Sequence, residues 1–251
     1  MTGRFLITGA TGPVAGATIE RLAARGDALL LTGRNETRLM ELGLHHGEPG
    51  RIETHAVDVT TPMGAQDAVD ATVNRLGGID GVVHMVGSFQ AGPVAHTPPE
   101  RYEALMRVNF LSAVYVTQAV LQAVRGESRL VYFGTPLVQE PLAGLGCYSA
   151  SKAALLTWMR SMSHEVKHRS VHANAVVMTM ADTPDARAAR PHVDFTEAVT
   201  PELVARTVEF LTSDAADGLY GALVPVLGRF GFSSALAGPP GRPTPAAAGA
   251  R

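Results

Sequence analysis

Phe5-Leu6-Ile7-Thr8-Gly9-Ala10-Thr11-Gly12-Pro13-Val14-Ala15-Gly16 is the stretch whose reading decides the fold. A short apolar run meets a glycine-rich turn, and the turn opens a segment of helical period. An unbroken apolar run of this length suits a strand covered on both faces. Glycine in the turn lets main chain approach a pyrophosphate, and the helix that follows offers N–H donors and a favourable dipole. Tight strand-to-helix turns also use glycine for steric reasons alone. The position at the first strand-to-helix junction favours the phosphate reading, with Thr8, Gly9, Thr11, Gly12, Pro13 and Val14 as the cofactor-facing residues. Pro13 suits the first helical position but has no N–H to donate, and Ala15 adds a methyl where close approach favours hydrogen.

The same alternation runs outward along the chain. Phe5–Thr8, Ala28–Thr32, Ile52–Val57, Gly81–Val86, Leu130–Phe133, Asn174–Met178 and Ala222–Val226 read as buried strands. Ala17–Arg25, Pro62–Leu76, Pro99–Val124, Ser149–His168 and Pro201–Thr212 read as helices between them. This order predicts an α/β domain over residues 1–237, a seven-stranded parallel sheet with helices on both faces. Residues 181–199 break the rhythm with Pro184, Pro191, Arg187 and Arg190. They read as a mobile lid or as a surface loop with a short helix. Residues 238–251 are almost wholly Gly, Pro and Ala and read as a disordered tail.

Composition excludes several classes. The 251 residues are 46% hydrophobic and 18% charged, with net charge −2 and no basic run, so nucleic acid is not an expected partner. Cys147 is the only cysteine, which rules out an intrachain disulfide and a cysteine-based metal site. The histidines show no closed metal-ligand pattern, and no metal is expected. No apolar stretch reads as a membrane span or signal peptide, so a soluble cytoplasmic protein is the expectation.

Two places carry chemistry. After the second strand, Gly33 leaves empty the position where an acidic residue would grip ribose hydroxyls, and Arg34 can meet a 2′-phosphate. NADP is therefore favoured over NAD. Farther on, Tyr148 and Lys152 lie four apart at the start of a helix and project to one side. A phenol titrates near pH 10, and a nearby ammonium is expected to lower that value. Thr135 follows a strand at the edge where ligands gather, and Asn109 is a polar residue inside an apolar helix. His84 reads as a core histidine with one satisfied nitrogen. Phe89, Leu137, Leu142 and Met180 are candidate apolar substrate contacts.

Taken together, from Arg4 to Gly228, these elements resemble the short-chain dehydrogenase/reductase family of the compact type. The resemblance rests on the Thr8-Gly9 turn, Asp58-Val59, Gly87, Asn109, Tyr148 with Lys152, Asn174-Ala175 and Asp182-Thr183-Pro184 in this order. It implies a doubly wound Rossmann fold, with Asp58 and Val59 flanking adenine and Gly87 and Thr179 on the cofactor bed. It further implies that Lys152 binds the nicotinamide ribose, that Asn109 holds a water in a proton relay, and that Thr135 replaces the family's serine. Homo-oligomers, tetramers or dimers, built through the long helices are also implied. The chain departs from the family at Pro13 and Ala15, at His84-Met85-Val86-Gly87 and at Met178-Thr179. The expected activity is NADPH-dependent reduction of a small-molecule ketone, possible secondary metabolites included, or the reverse oxidation. A non-redox elimination, isomerisation or cyclisation, and a non-enzymatic binding protein, are the alternatives.

Overall fold

Seven apolar runs form seven parallel strands in the computed structural model, which describes residues 2–46 and 51–229. They are β1 (Arg4–Thr8), β2 (Ala28–Gly33), β3 (Ile52–Ala56), β4 (Gly81–His84), β5 (Ser128–Gly134), β6 (Val171–Met178) and β7 (Leu223–Val226). Their order in the sheet is β3-β2-β1-β4-β5-β6-β7. The chain steps outward from β1 to β3, then crosses back to place β4 on the other side of β1. That reversal opens a crevice beyond the carboxyl ends of β1 and β4, where Thr8 and His84 stand in register.

Alternate strand residues supply two cores. Leu6, Leu30, Val82, Leu130 and Ala173 face one side, under α3 (Pro62–Leu76), α5 (Ser112–Ala123) and α6 (Gly146–Val166). Phe5, Ile7, Leu29, Leu31, Val83 and Val131 face the other, under α1 (Ala15–Arg25), α2 (Glu36–His46) and α8 (Pro201–Leu211). Each fully buried Leu or Ile in these layers contributes roughly 1.5–3 kcal/mol of apolar transfer. Continuous apolar strands are what a sheet covered on both faces requires.

Several boundaries differ from expectation. α2 was not foreseen, because only Leu39 of its residues is buried and the apolar period is therefore faint. β4 stops at His84 instead of Val86. Pro13 lies outside α1, which begins at Ala15 with Val14 as its N-cap, so the expected first-position role is lost. The helix expected over Pro99–Val124 is α4 (Pro99–Met106), a π turn over Arg107–Leu111, and α5. This 25-residue run is long and apolar enough by composition to cross a bilayer, contrary to the sequence expectation. In the fold its Leu105, Asn109, Ala113, Val116 and Val120 are buried against the domain. Residues 181–199 carry a short helix, α7 (Pro184–Ala189), and a parallel bridge between Ala181 and Val199 closes their base. The tail expected over residues 238–251 lies outside the described residues.

Candidate active site

α6 starts at Gly146, so Tyr148 and Lys152 fall one turn apart in its first two turns. β5 delivers Thr135 immediately past its last residue, Gly134. Thr135 is 5% exposed, and its hydroxyl faces the Tyr148 phenol closely enough to favour the phenol's charged form. Lys152 is equally buried and its Nζ donates to the Phe133 carbonyl at 2.8 Å. Three of the residues expected to carry chemistry, Thr135, Tyr148 and Lys152, thus converge at the carboxyl edge of β5, beside the crevice.

The electrostatics reverse one expectation. Burial pushes the phenol up to about 12, against the weaker opposing effect of the Thr135 hydroxyl, and the ammonium does not make it acidic. Burial likewise brings Lys152 down to about 8. Both directions have one cause: each charged form loses water that the surrounding protein replaces incompletely. At neutral pH Tyr148 keeps its proton. In this site it is an acid by default.

Asn109 has a different set of partners from the expected water. Its Oδ1 accepts from Ser88 N at 2.7 Å, and Nδ2 donates to Ser88 O at 2.9 Å and Ser151 Oγ at 2.9 Å. Both amide protons are committed to protein. The side chain therefore pins the segment after β4 to α6, and Ser151 Oγ in turn donates to Tyr148 O at 2.7 Å. The π turn over Arg107–Leu111 is what widens the helix around Asn109; such turns recur at functional sites.

His84 is better satisfied than expected, with both ring nitrogens bonded. Thr8 Oγ1 lies 2.9 Å from Nδ1 and Ser112 Oγ 3.0 Å from Nε2. Ser112 donates its one hydroxyl proton to Val108 O at 2.6 Å, so Nε2 carries the ring proton and Thr8 donates to Nδ1. Burial, with Lys152 nearby, lowers the imidazole to about 3 and keeps it neutral. This strap joins the cofactor turn to the π turn. Sequence reasoning missed Ser112 and Ser151; their spacing of three from Asn109 and from Tyr148 was the available signal.

On the cofactor side, Gly9 has φ +70° and an added Cβ would stand 2.9 Å from the Met85 and Val86 backbone. Only glycine fits that approach of the turn to the end of β4. α1 begins without a side-chain cap and without an acidic residue in its first turn, leaving its N–H groups directed at the turn Thr11-Gly12-Pro13-Val14. Arg34 is exposed beyond Gly33, and a Cβ at Gly33 would sit 3.4 Å from Thr11 Oγ1, so these residues border one space. Arg34 also helps hold the exposed Asp58 carboxyl below its usual range, after the backbone hydrogen bond from Thr60. Gly87 lets the main chain pass close to the site: a Cβ there would lie 3.3 Å from both Lys152 Nζ and Asn109 Oδ1. The helix end without a side-chain cap, the exposed Arg34 and the glycine approaches at Gly9 and Gly87 fit a dinucleotide laid from Arg34 to Lys152.

Three residues expected at the cofactor have side chains engaged within the protein. Thr8 is fully buried and its hydroxyl is spent on His84. Val59 is 5% exposed and belongs to the core, so its side chain offers adenine little surface. Thr179 donates its hydroxyl to Leu227 O at 3.3 Å, tying the end of β6 to β7.

Phe89, expected as a substrate contact, is 48% exposed and edge-on to Tyr148 with ring centroids 5.0 Å apart. Leu137, Leu142 and Met180 are partly buried. Arg190, capping α7, lays its guanidinium over Phe89 at 5.4 Å. Arg187 is bound through two bonds to Asp182, at 2.5 and 2.8 Å, and lies over Phe195.

At the amino edge of the sheet, remote from this site, His172 comes together with Glu127 and Asp217, with candidate ligand atoms within 4.8 Å of one another. Sequence spacing did not reveal that group. Arg129 bonds both carboxylates, so a guanidinium already occupies the cation position.

The chain belongs to the short-chain dehydrogenase/reductase family: the family model described as short chain dehydrogenase matches residues 4–194. It is an oxidoreductase of that family. It is 28% identical over 183 residues to an uncharacterized oxidoreductase of Staphylococcus saprophyticus, covering 71% of this chain and 78% of that one. It is 27% identical over 233 residues to the 3-oxoacyl-(acyl-carrier-protein) reductase FabG of Vibrio cholerae, covering 89% and 95%. A short chain dehydrogenase from Burkholderia cenocepacia, solved in complex with NADP, superposes with a TM-score of 0.80 at 26% identity over 90% of this chain and 96% of that one.

Proposed function

We propose that this protein is an NADPH-dependent reductase of small-molecule ketones, able to run the reverse oxidation. The observation that carries the reading is the pair of hydroxyls, buried Thr135 and partly buried Tyr148, with Lys152 one turn away. When bound, the nicotinamide supplies the hydride. Thr135 and Tyr148 hold the carbonyl oxygen, and the phenol gives it a proton as negative charge develops there. A phenol at about 12 is well matched to an alkoxide, which is the stronger base. Lys152, poised at about 8, returns a proton to Tyr148. Asn109 acts by position, fixing the Ser88 main chain and Ser151, whose hydroxyl holds the Tyr148 backbone carbonyl. Arg34 and the N-terminus of α1 would hold the phosphates, and Gly87 the space beside Lys152. Charge on Arg34 favours NADPH over NADH, and the NADP complex of the Burkholderia relative supports that preference. The outer faces of α5 and α6 are the surfaces for a homo-oligomer.

The test is Tyr148→Phe. Ketone turnover should fall by at least ~10² to 10⁴-fold, the range for loss of a general acid, while NADPH affinity measured by fluorescence titration stays within a few fold. Turnover close to wild type would refute the assignment, and failure of the wild-type protein to bind NADPH would refute the cofactor.

A further inference from the structure

We propose that the substrate carries an anionic group and that Arg190 selects it; the inference rests on the reductase reading of the same site. Two arginines of the 181–199 segment stand three residues apart. Arg187 is neutralised: Asp182 takes its guanidinium through two oxygens, and Asp194 adds to the negative field around it. Arg190 has no carboxylate partner among the described residues, and its described side-chain contact is the face of Phe89 at 5.4 Å. That ring is itself half exposed and edge-on to Tyr148 at 5.0 Å. A positive charge thus stands one aromatic ring away from the proton-donating phenol.

The main chain holds it there. Arg190 caps α7, with its N–H bonded to Ala186 O and Arg187 O, and Thr183 caps the other end of that helix by accepting from Ala186 N at 3.2 Å. A guanidinium resting on a ring keeps its five N–H donors for another acceptor, since the ring meets only its face. A carboxylate is the acceptor that matches the planar fork. The complementary substrate is a ketone with a carboxylate at its far end and an apolar or aromatic body lying against Phe89.

The test uses aryl methyl ketones that bear a carboxylate on the ring or at the end of a two-carbon arm, each paired with its carboxamide. For each pair, NADPH oxidation and binding to the NADPH-saturated protein by calorimetry are measured with wild type, R190Q and R190K. At least one carboxylate should show KM and Kd lower than its amide by about tenfold or more. In R190Q that ratio should collapse toward one, and in R190K it should partly return. Equal values for acid and amide in wild type, or a preference that survives R190Q, overturn the proposal. If acids bind preferentially through Arg190 but no ketone is reduced, the reductase reading fails and the anion site stands. If acids and amides are reduced alike in both proteins, the reductase reading stands and the anion site fails.

Discussion

Lys152→Met tests whether burial governs the charge at this site. The substitution keeps most of the side chain's length and apolar volume while removing the ammonium. Lys152 is 5% exposed, and burial brings its ammonium from an ordinary 10.5 to about 8. At about 1.4 kcal/mol per pKa unit, holding the charge inside costs the folded state ~3 kcal/mol below pH 8. The sign follows from proton counts. Between pH 8 and 10.5 the unfolded chain keeps the lysine proton and the folded chain releases it, so wild-type stability rises with pH across that window. The variant has no such group, and every other titration is shared. Urea denaturation of both proteins at pH 7 and 9.5 should therefore show the wild type gaining ~2 kcal/mol on the variant. That range stays below the tyrosine titrations. A gap that is constant with pH, or that moves the other way, would mean that the Phe133 carbonyl compensates the ammonium fully and that Lys152 titrates like an exposed lysine.

Two further outcomes follow from the same geometry. Arg34→Ala should weaken NADPH binding by roughly 10- to 100-fold and leave NADH nearly unchanged, because only the former carries the 2′-phosphate; equal losses for both cofactors, read by fluorescence titration, would show that Arg34 does not meet that phosphate. His84→Leu deprives Thr8 of its acceptor and should cost ~1–3 kcal/mol in urea unfolding. It should also raise the NADPH Kd, since the strap sets the turn at Gly9, and an unchanged Kd would confine His84 to the core.

The fold was legible because most of it is written in patterns with a single physical reading. Unbroken apolar runs between Gly, Pro and Asp signal strands covered on both faces, and every one of the seven stands in the sheet. What escaped was structure without a strong pattern. α2 buries one side chain, Leu39, so periodicity hardly registers it. The π turn at Asn109 changes no residue type at all; only the hydrogen-bond ladder reveals it. Pro13 looked like a first helical residue on propensity, yet the helix waits until Ala15, because Gly12 and Pro13 complete a turn first: Gly12 N bonds Gly9 O and Ala15 N bonds Gly12 O.

At the site, residue types were readable and their electrical states were not. Tyr148 and Lys152 follow from helical spacing, Thr135 from its place after β5 and Asn109 from its polarity inside an apolar helix, and α6 and β5 bring the first three together. Spacing suggested that the ammonium would acidify the phenol, but the sign of that effect depends on how much water each group retains. Here the surrounding protein closes over much of both groups, and desolvation sets the direction of each. The same closure explains the rest of the polar design. A buried amide, imidazole and hydroxyl would each destabilise the fold if left unpaired, and Asn109, His84 and Ser112 are paired to one another's segments by complete hydrogen-bond sets. Those bonds tie the turn after β1, the segment after β4 and the first turns of α6 to one another. A protonated tyrosine held in that frame is prepared to donate without moving, which favours carbonyl reduction at neutral pH and requires alkaline conditions, or a charge brought in by the cofactor, for alcohol oxidation.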